Sequence, residues 1–426
     1  MLPFDKKLRE YLKKNAETVF ILLVTAGGLM GRFFLWDIVS SDMKVYLKWY
    51  ARAQEYGGLP GIYALGKRIK GYNALFQLLT AAMTHIPVDP LYLFKAVWTA
   101  FDILLAVGIG RLVYDMAGTR DRSALRKASL AYGFCFLAMD GMFNSAAWGQ
   151  SDVVYVSLIV WSLVWLFKEK YLKAYIFLGL AFAFKLQTVF ILPFFVFYYV
   201  YKKSFSCLYF ICLPAMLLIS ALPRQIAGLI SPVKVNAASG AAVAAASAAV
   251  EPLRLPGIID VYLRQIASGG RMYLEYPSFW AFLPDQDVDV FADFYKFRNA
   301  AILFTLIVLA VLVAALLKSG KEYSSRSLMY AAMVLSFTTV FFLPTVIDRY
   351  GYLYEILAIV LVFLDKKSII PAVALHVMMY YQIAGRVGVE TLPISVRQLS
   401  LIMLVIYGIY LYLMFRSRKE DADAVI

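Results

Sequence analysis

Leu35-Trp-Asp-Ile-Val-Ser-Ser-Asp-Met-Lys-Val-Tyr-Leu-Lys-Trp-Tyr50 follows the first long apolar run of the chain. It carries an acid, Asp42, where the chain is expected to leave a membrane. A new helix is expected to start there and run along the surface. Met43, Tyr46, Leu47 and Tyr50 recur at i, i+3, i+4 and i+7, while Lys44, Lys48 and Arg52 take another face. An acid at the start of such a helix is either a cap or a reaction centre. The rest of the chain has to decide between them.

Hydrophobic residues make up 62% of the 426 and charged residues 16%, against about 25% charged in a soluble domain. The chain therefore reads as an all-α polytopic membrane protein, a single integral membrane domain over residues 1–426. The first apolar run, Thr18 to Trp36, is too long for a signal peptide, and no small-residue cleavage site follows it. Cys135, Cys207 and Cys212 all lie in apolar runs, which suggests neither a disulfide framework nor a zinc motif. His85 and His376 are far apart, so a His-rich metal site is not indicated. The sequence indicates no certain cofactor, and it leaves a divalent cation open without pointing to one. The net charge of +14 is distributed as membrane topology requires, not as a nucleic-acid surface would be.

Spanning helices need about 20 apolar residues each. Candidates are residues 17–36, 91–116, 128–147, 152–167, 174–201, 204–223, 298–317, 326–344, 350–364, 368–385 and 397–415. The stretch 73–87 is short and ends in His-Ile-Pro. Asp5-Lys-Lys-Leu-Arg-Glu-Tyr-Leu-Lys-Lys14 and Arg120-Asp-Arg-Ser-Ala-Leu-Arg-Lys127 are basic and should both be cytoplasmic. An even number of crossings must separate them. Helices 17–36 and 91–116 supply two, so residues 37–90 form an outer loop with interfacial helices.

The same parity applies to 174–201, which lies between Lys168-Glu-Lys170 and Lys202-Lys203. Lys185 and Pro193 interrupt it, giving two short helices that meet at Phe184-Lys-Leu-Gln187. A broken helix at depth is tolerated only where it lines an enclosed or wet cavity. The short outer connections hold few cations: Lys185, Arg349, Arg386 and Arg397. These assignments give about twelve spans, with both termini cytoplasmic. A second outer loop, 224–297, contains the Ala-rich segment 236–250, read as mobile. From Pro256 to Pro284 it is rich in Tyr, Trp and Phe, as suits an interface.

On this topology the polar residues converge on one side. They are Asp42, the segment Ala146-Ala-Trp-Gly-Gln-Ser-Asp152, Lys185 with Gln187, and Phe341-Phe-Leu-Pro-Thr-Val-Ile-Asp-Arg-Tyr-Gly351. Each has a bland alternative. Asp42 or Asp152 could cap the helix it opens. Asp348 and Arg349 could pair with one another, and Lys185 could be a structural ion-pair partner. Lys95 and Asp102, seven apart on one helix, read as an internal polar seam, and Arg32 as a snorkelling cation. Convergence favours a site, because ionisable residues at depth are costly. Lys185 and Arg349 could hold a lipid phosphate. A nearby acid could take the proton of an acceptor hydroxyl as a sugar is displaced from that phosphate.

Five pieces carry a resemblance: Ser41-Asp42-Met-Lys-Val-Tyr46 with Trp49, Gly71-Tyr-Asn-Ala-Leu-Phe76, Trp148-Gly-Gln-Ser-Asp152, Phe184-Lys-Leu-Gln187 before Pro193, and Pro344-Thr-Val-Ile-Asp-Arg-Tyr350. In this order they resemble the GT-C superfamily of membrane glycosyltransferases. More narrowly, they look like bacterial relatives of the GPI-anchor and dolichol-dependent mannosyl- and glucosyltransferases. The resemblance implies a polyprenyl-phosphate sugar donor, inverting hexosyl transfer of the mannosyltransferase type, and an active site on the outer face of a bacterial plasma membrane. The acceptor would be a hydroxyl of a glycan, lipid or protein. The resemblance makes Asp42 the general base and Asp152 a second site acid, and it places Arg349 and Tyr350, with Lys185, at the donor phosphate. Trp148, Gln150, Gln187, Asp348, Tyr72 and Asn73 would line the site. Two departures stand out: Ile347-Asp348 replaces the His-Glu common before Arg-Tyr, and Ala74 stands where Pro often follows Tyr-Asn. A transporter or flippase for a lipid-linked or anionic substrate would use the same charges as a pathway, but no internal repeat supports it.

Overall fold

The computed structural model describes residues 3–68, 72–230, 261–262, 265, 271–283, 294–318, 322–390 and 392–423. Gly71 and the Ala-rich segment 236–250 lie outside the described residues. The protein is all-α. Among the described residues the only β pairing is an isolated bridge region in which Leu274 and Glu275 meet Ile347.

Among the described residues, seven helices are long and apolar enough to cross a membrane: Ala16–Leu35, Pro90–Met116, Cys207–Leu229, Phe294–Lys318, Ser325–Phe342, Lys366–Arg386 and Val396–Asp421. Five shorter apolar helices accompany them: Ala74–Met83, Asp152–Phe167, Tyr171–Phe184, Leu186–Lys202 and Tyr352–Leu364. Between the first two long helices the chain forms three shorter ones, Ser41–Glu55, Ile62–Arg68 and Ala74–Met83. Ser325–Phe342 and Tyr352–Leu364 form the centre and are buried almost throughout. Asp152–Phe167 packs between Pro90–Met116 and Tyr171–Phe184, which brings its first residue into the interior.

The broken helix lies where Lys185 and Pro193 place it. Tyr171–Phe184 ends at Lys185, which is extended (φ −151°, ψ 134°). A 3₁₀ turn, Leu186–Ile191, and the helix Leu192–Lys202 follow. A second break was not expected. Residues 128–147, read as one span, are interrupted at Ala138 (φ −55°, ψ 122°) and resume as Met139–Met142 and a π-turn, Phe143–Ala147. The break turns buried Asp140 towards His376, with Oδ2 2.7 Å from Nδ1.

Two polar expectations are corrected by partners from other helices. Arg32 does not snorkel. It is 1% exposed, its Nε donates to Asp102 at 2.8 Å, and its Nη1 donates to the carbonyl of Phe136 at 2.9 Å. Ser145 completes the arrangement by donating to Asp102 at 2.6 Å. Lys95 therefore has no part in a seam with Asp102. Its Nζ donates to the carbonyls of Leu35 and Ile38, at 3.1 and 2.6 Å, and satisfies a helix end that has no further turn to bond to.

Arg32→Met should strand the Asp102 carboxylate and cost roughly 3–5 kcal/mol, most of which the double substitution with Asp102→Leu should recover. Thermal unfolding in detergent measures both. Equal losses in the single and double variants would contradict this account of the pair.

Candidate active site

Ser40, not Asp42, caps the Ser41–Glu55 helix. Its Oγ accepts from the amide of Met43 at 3.0 Å and donates to the carbonyl of Trp148 at 2.6 Å. One side chain thus closes the helix start and ties it to the Trp148–Asp152 segment. The Asp42 carboxylate is left free for other partners, with its side chain 38% exposed.

Its nearest partner is Gln150, whose Nε2 donates to Asp42 Oδ2. Two backbone features deliver Gln150. The π-turn adds a residue before Trp148, and the Gln150 amide then bonds the carbonyl of Asn144 at 2.9 Å. Gly149 follows in the left-handed region (φ 76°), where a Cβ would also fall 2.2 Å from Met43 Cε. Tyr46 holds the other end of the amide, its hydroxyl 3.4 Å from Gln150 Oε1 and hydrogen-bonded to the Tyr72 hydroxyl.

Asp152 lies beneath this layer and is fully buried. Lys185 Nζ donates to its Oδ1 at 2.7 Å. Arg349 Nε lies 3.2 Å from its Oδ2, a close ion contact whose angle falls short of a hydrogen bond. The helix Asp152–Phe167 is capped neither by Asp152 nor by another side chain, so this carboxylate balances charge. Extended Lys185 reaches it from the helix break, its Nζ 5.9 and 5.8 Å from the ring centres of Tyr72 and Tyr155. The Arg349 guanidinium lies over Trp148 at 5.2 Å, and its Nη1 is 3.7 Å from Asp42 Oδ2. Two acids and two cations, from four separate segments, therefore meet in one cluster. Only Asp42 among them is more than one-third exposed.

The remaining sequence candidates divide. Tyr350 packs with its ring tilted against Phe190 (5.4 Å) and meets Gln187, so both flank the cluster. Asp348 lies at the edge of the cluster, its Oδ1 3.9 Å from Arg349 Nη1. It is 3% exposed and bonded to Arg386, which also bonds Glu275. Burial raises its carboxyl, although Arg349 and Arg386 work to lower it. Backbone bonds Thr345 to Met272 (2.7 Å) and Leu274 to Val346 (3.2 Å) fasten the same connector. Asn73 donates to the hydroxyl of Tyr262 at 2.8 Å, and Tyr262 donates to the carbonyl of Phe182. It joins segments and does not face the charges. Ser40, Tyr46, Tyr155, Glu275 and Arg386 were not among the sequence candidates. Ser40 carried the local signal of a cap before an amphipathic helix, and Tyr46 lay on that helix's apolar face.

An integral membrane helix bundle with this cluster, and with motifs in this order, is a glycosyltransferase of the GT-C type. The sequence profile of glycosyltransferase family 87 matches residues 72–344, and the chain belongs to that family. None of the curated proteins compared matches the chain. The matched span includes Gln150, Asp152 and Lys185. It stops short of Arg349 and begins after Asp42, so these two join the site through geometry.

Ser40→Ala should cost about 1–2 kcal/mol, the usual worth of such a cap. It should also lower turnover, because the helix start that carries Asp42 loses its tie to Trp148. Unfolding in detergent and initial rates measure the two effects. Unchanged stability would contradict the capping role.

Proposed function

We propose that the protein moves a sugar from a polyprenyl-phosphate carrier to a hydroxyl acceptor on the extracytoplasmic face, with inversion at the anomeric carbon. The observation that carries this reading is the meeting of Lys185 and Arg349 at buried Asp152, with the partly exposed Asp42 carboxylate 3.7 Å from Arg349, in a bundle that also holds an apolar groove. The groove has a volume of about 640 Å³ and runs between Val189, Leu192 and Val196 on one wall and Ile302, Leu309 and Leu317 on the other. The fifteen-residue helical separation of Ile302 and Leu317 corresponds to roughly 22 Å. Leu343 and Val189 line the groove and are close in sequence to Arg349 and Gln187. A long apolar chain fits the groove, and its phosphate end would then lie at the cations.

Asp152 occupies Arg349 from the Nε side and leaves guanidinium donors for a phosphate. Lys185 adds a point charge. In the transfer, the acceptor oxygen attacks the anomeric carbon as Asp42 takes its proton. The bond from that carbon to the phosphate oxygen breaks, and polyprenyl phosphate leaves with one more negative charge. Arg349 and Lys185 stabilise that charge, so the leaving oxygen needs no proton. Gln150 holds the Asp42 carboxylate in line. Asp152 acts as a positioning residue for both cations. The excess of Lys and Arg in the N-terminal, 120–127 and C-terminal segments supports a cytoplasmic placement for both termini and an outer site.

Asp42→Asn should lower turnover by roughly 10²–10⁴, the usual contribution of a positioned base, with donor binding within about twofold of the parent. The assay uses protein in detergent with a short-chain polyprenyl-phosphate sugar, where a transporter would give no product. Retained turnover in the purified variant would remove Asp42 from the base role.

A further inference from the structure

We infer that the outward face of the Ser41–Glu55 helix is a docking surface for anionic phospholipid headgroups, formed by Lys44, Lys48 and Arg52. It rests on the proposed reading only for which leaflet the helix meets. The opposite face is fully committed: Met43, Tyr46, Tyr50 and Ala53 are buried, and Tyr46 packs against Phe76 and Phe94. The three cations are exposed, and among the described residues none has an ion-pair partner. At four-residue spacing they form a row about 12 Å long within an arc of about 80°. Neither acid of this helix, Asp42 or Glu55, pairs with them. Asp42 is engaged by Gln150.

The surroundings favour a lipid surface over a soluble acidic partner. Val45, on the same helix, is 39% exposed, and Leu59, Ile86 and Val88 of the same loop are 38%, 45% and 49% exposed. A helix with a row of cations beside exposed apolar side chains is the pattern of one lying in a bilayer interface and attracted to anionic lipid. The consequence concerns the site directly. Headgroups held by Lys44 lie two residues from Asp42, so the anionic leaflet sets the orientation of the helix that carries the carboxylate.

The test attaches bimane at Val45→Cys in a variant lacking Cys207 and Cys212; Cys135 is buried. The protein is placed in vesicles holding equal mole fractions of brominated phosphatidylglycerol or brominated phosphatidylcholine. The brominated phosphatidylglycerol should quench at least about twofold more strongly, as electrostatic attraction at a surface requires. The preference should vanish in Lys44→Gln/Lys48→Gln/Arg52→Gln. It should also fall in the unsubstituted helix at about 1 M salt, where the screening length is about 3 Å. Equal quenching by the two lipids, or a preference that survives both treatments, would overturn the inference. Sugar transfer is assayed separately, so absent turnover with an intact lipid preference would refute the enzymatic reading alone.

Discussion

A buried carboxylate, Asp152, accepts from Lys185 and contacts Arg349, and the layout of the site follows from that contact. Two cations forced together without an anion would repel in a low-dielectric interior. A lone carboxylate there would face a desolvation penalty of several kcal/mol. Each charge therefore depends on the others, and each comes from a different part of the fold. Asp152 opens a helix buried on all sides, Lys185 stands at the break of the next helix, and Arg349 sits on the connector between Phe342 and Tyr352. Assembly of the site is thus coupled to correct packing of three elements distant in sequence.

Asp42 is placed by a different logic. It belongs to a helix outside the central bundle and is held by hydrogen bonds with the Trp148–Gln150 segment. Ser40 takes over the capping that an acid in this position would otherwise supply, and Gln150 takes the carboxylate. The cost is concentrated in the backbone, in a π-turn and a left-handed glycine next to each other. Such local departures from regular helix are common where a side chain must be aimed. The result is a division of labour: one carboxylate buried and neutralised, the other partly exposed and oriented.

Much of this was legible in the sequence. Long apolar runs give spanning helices because backbone groups in lipid must bond within their own segment. Lys185 and Pro193 announced the broken helix, since a cation and a ring without an amide both disrupt an apolar helix. The break at Ala138 had no such punctuation, and its origin is tertiary, in the partners of Phe136 and Asp140. The same limit explains the Lys95–Asp102 seam. Spacing shows which residues share a helix face, but not that Arg32 of another helix reaches that face first. Asp348 and Arg349 show the limit at its smallest scale. Adjacent in sequence, they lie within 3.9 Å of one another, and each has a further partner that the sequence does not show, Asp152 for Arg349 and Arg386 for Asp348. Residue types and order already singled out Asp42 and Asp152, whereas their partners, Gln150 for the first and Lys185 with Arg349 for the second, emerge only from the packed chain.

On the proposed reading, Arg349 and Lys185 pass from neutralising Asp152 alone to holding a carrier phosphate as well. The structure of the complex with a short-chain polyprenyl phosphate tests it most directly. The account predicts phosphate oxygens about 3 Å from both cations, with Asp152 still behind them and the apolar chain in the groove past Val189. A phosphate bound elsewhere, with both contacts of Asp152 unchanged and the groove empty, would contradict it.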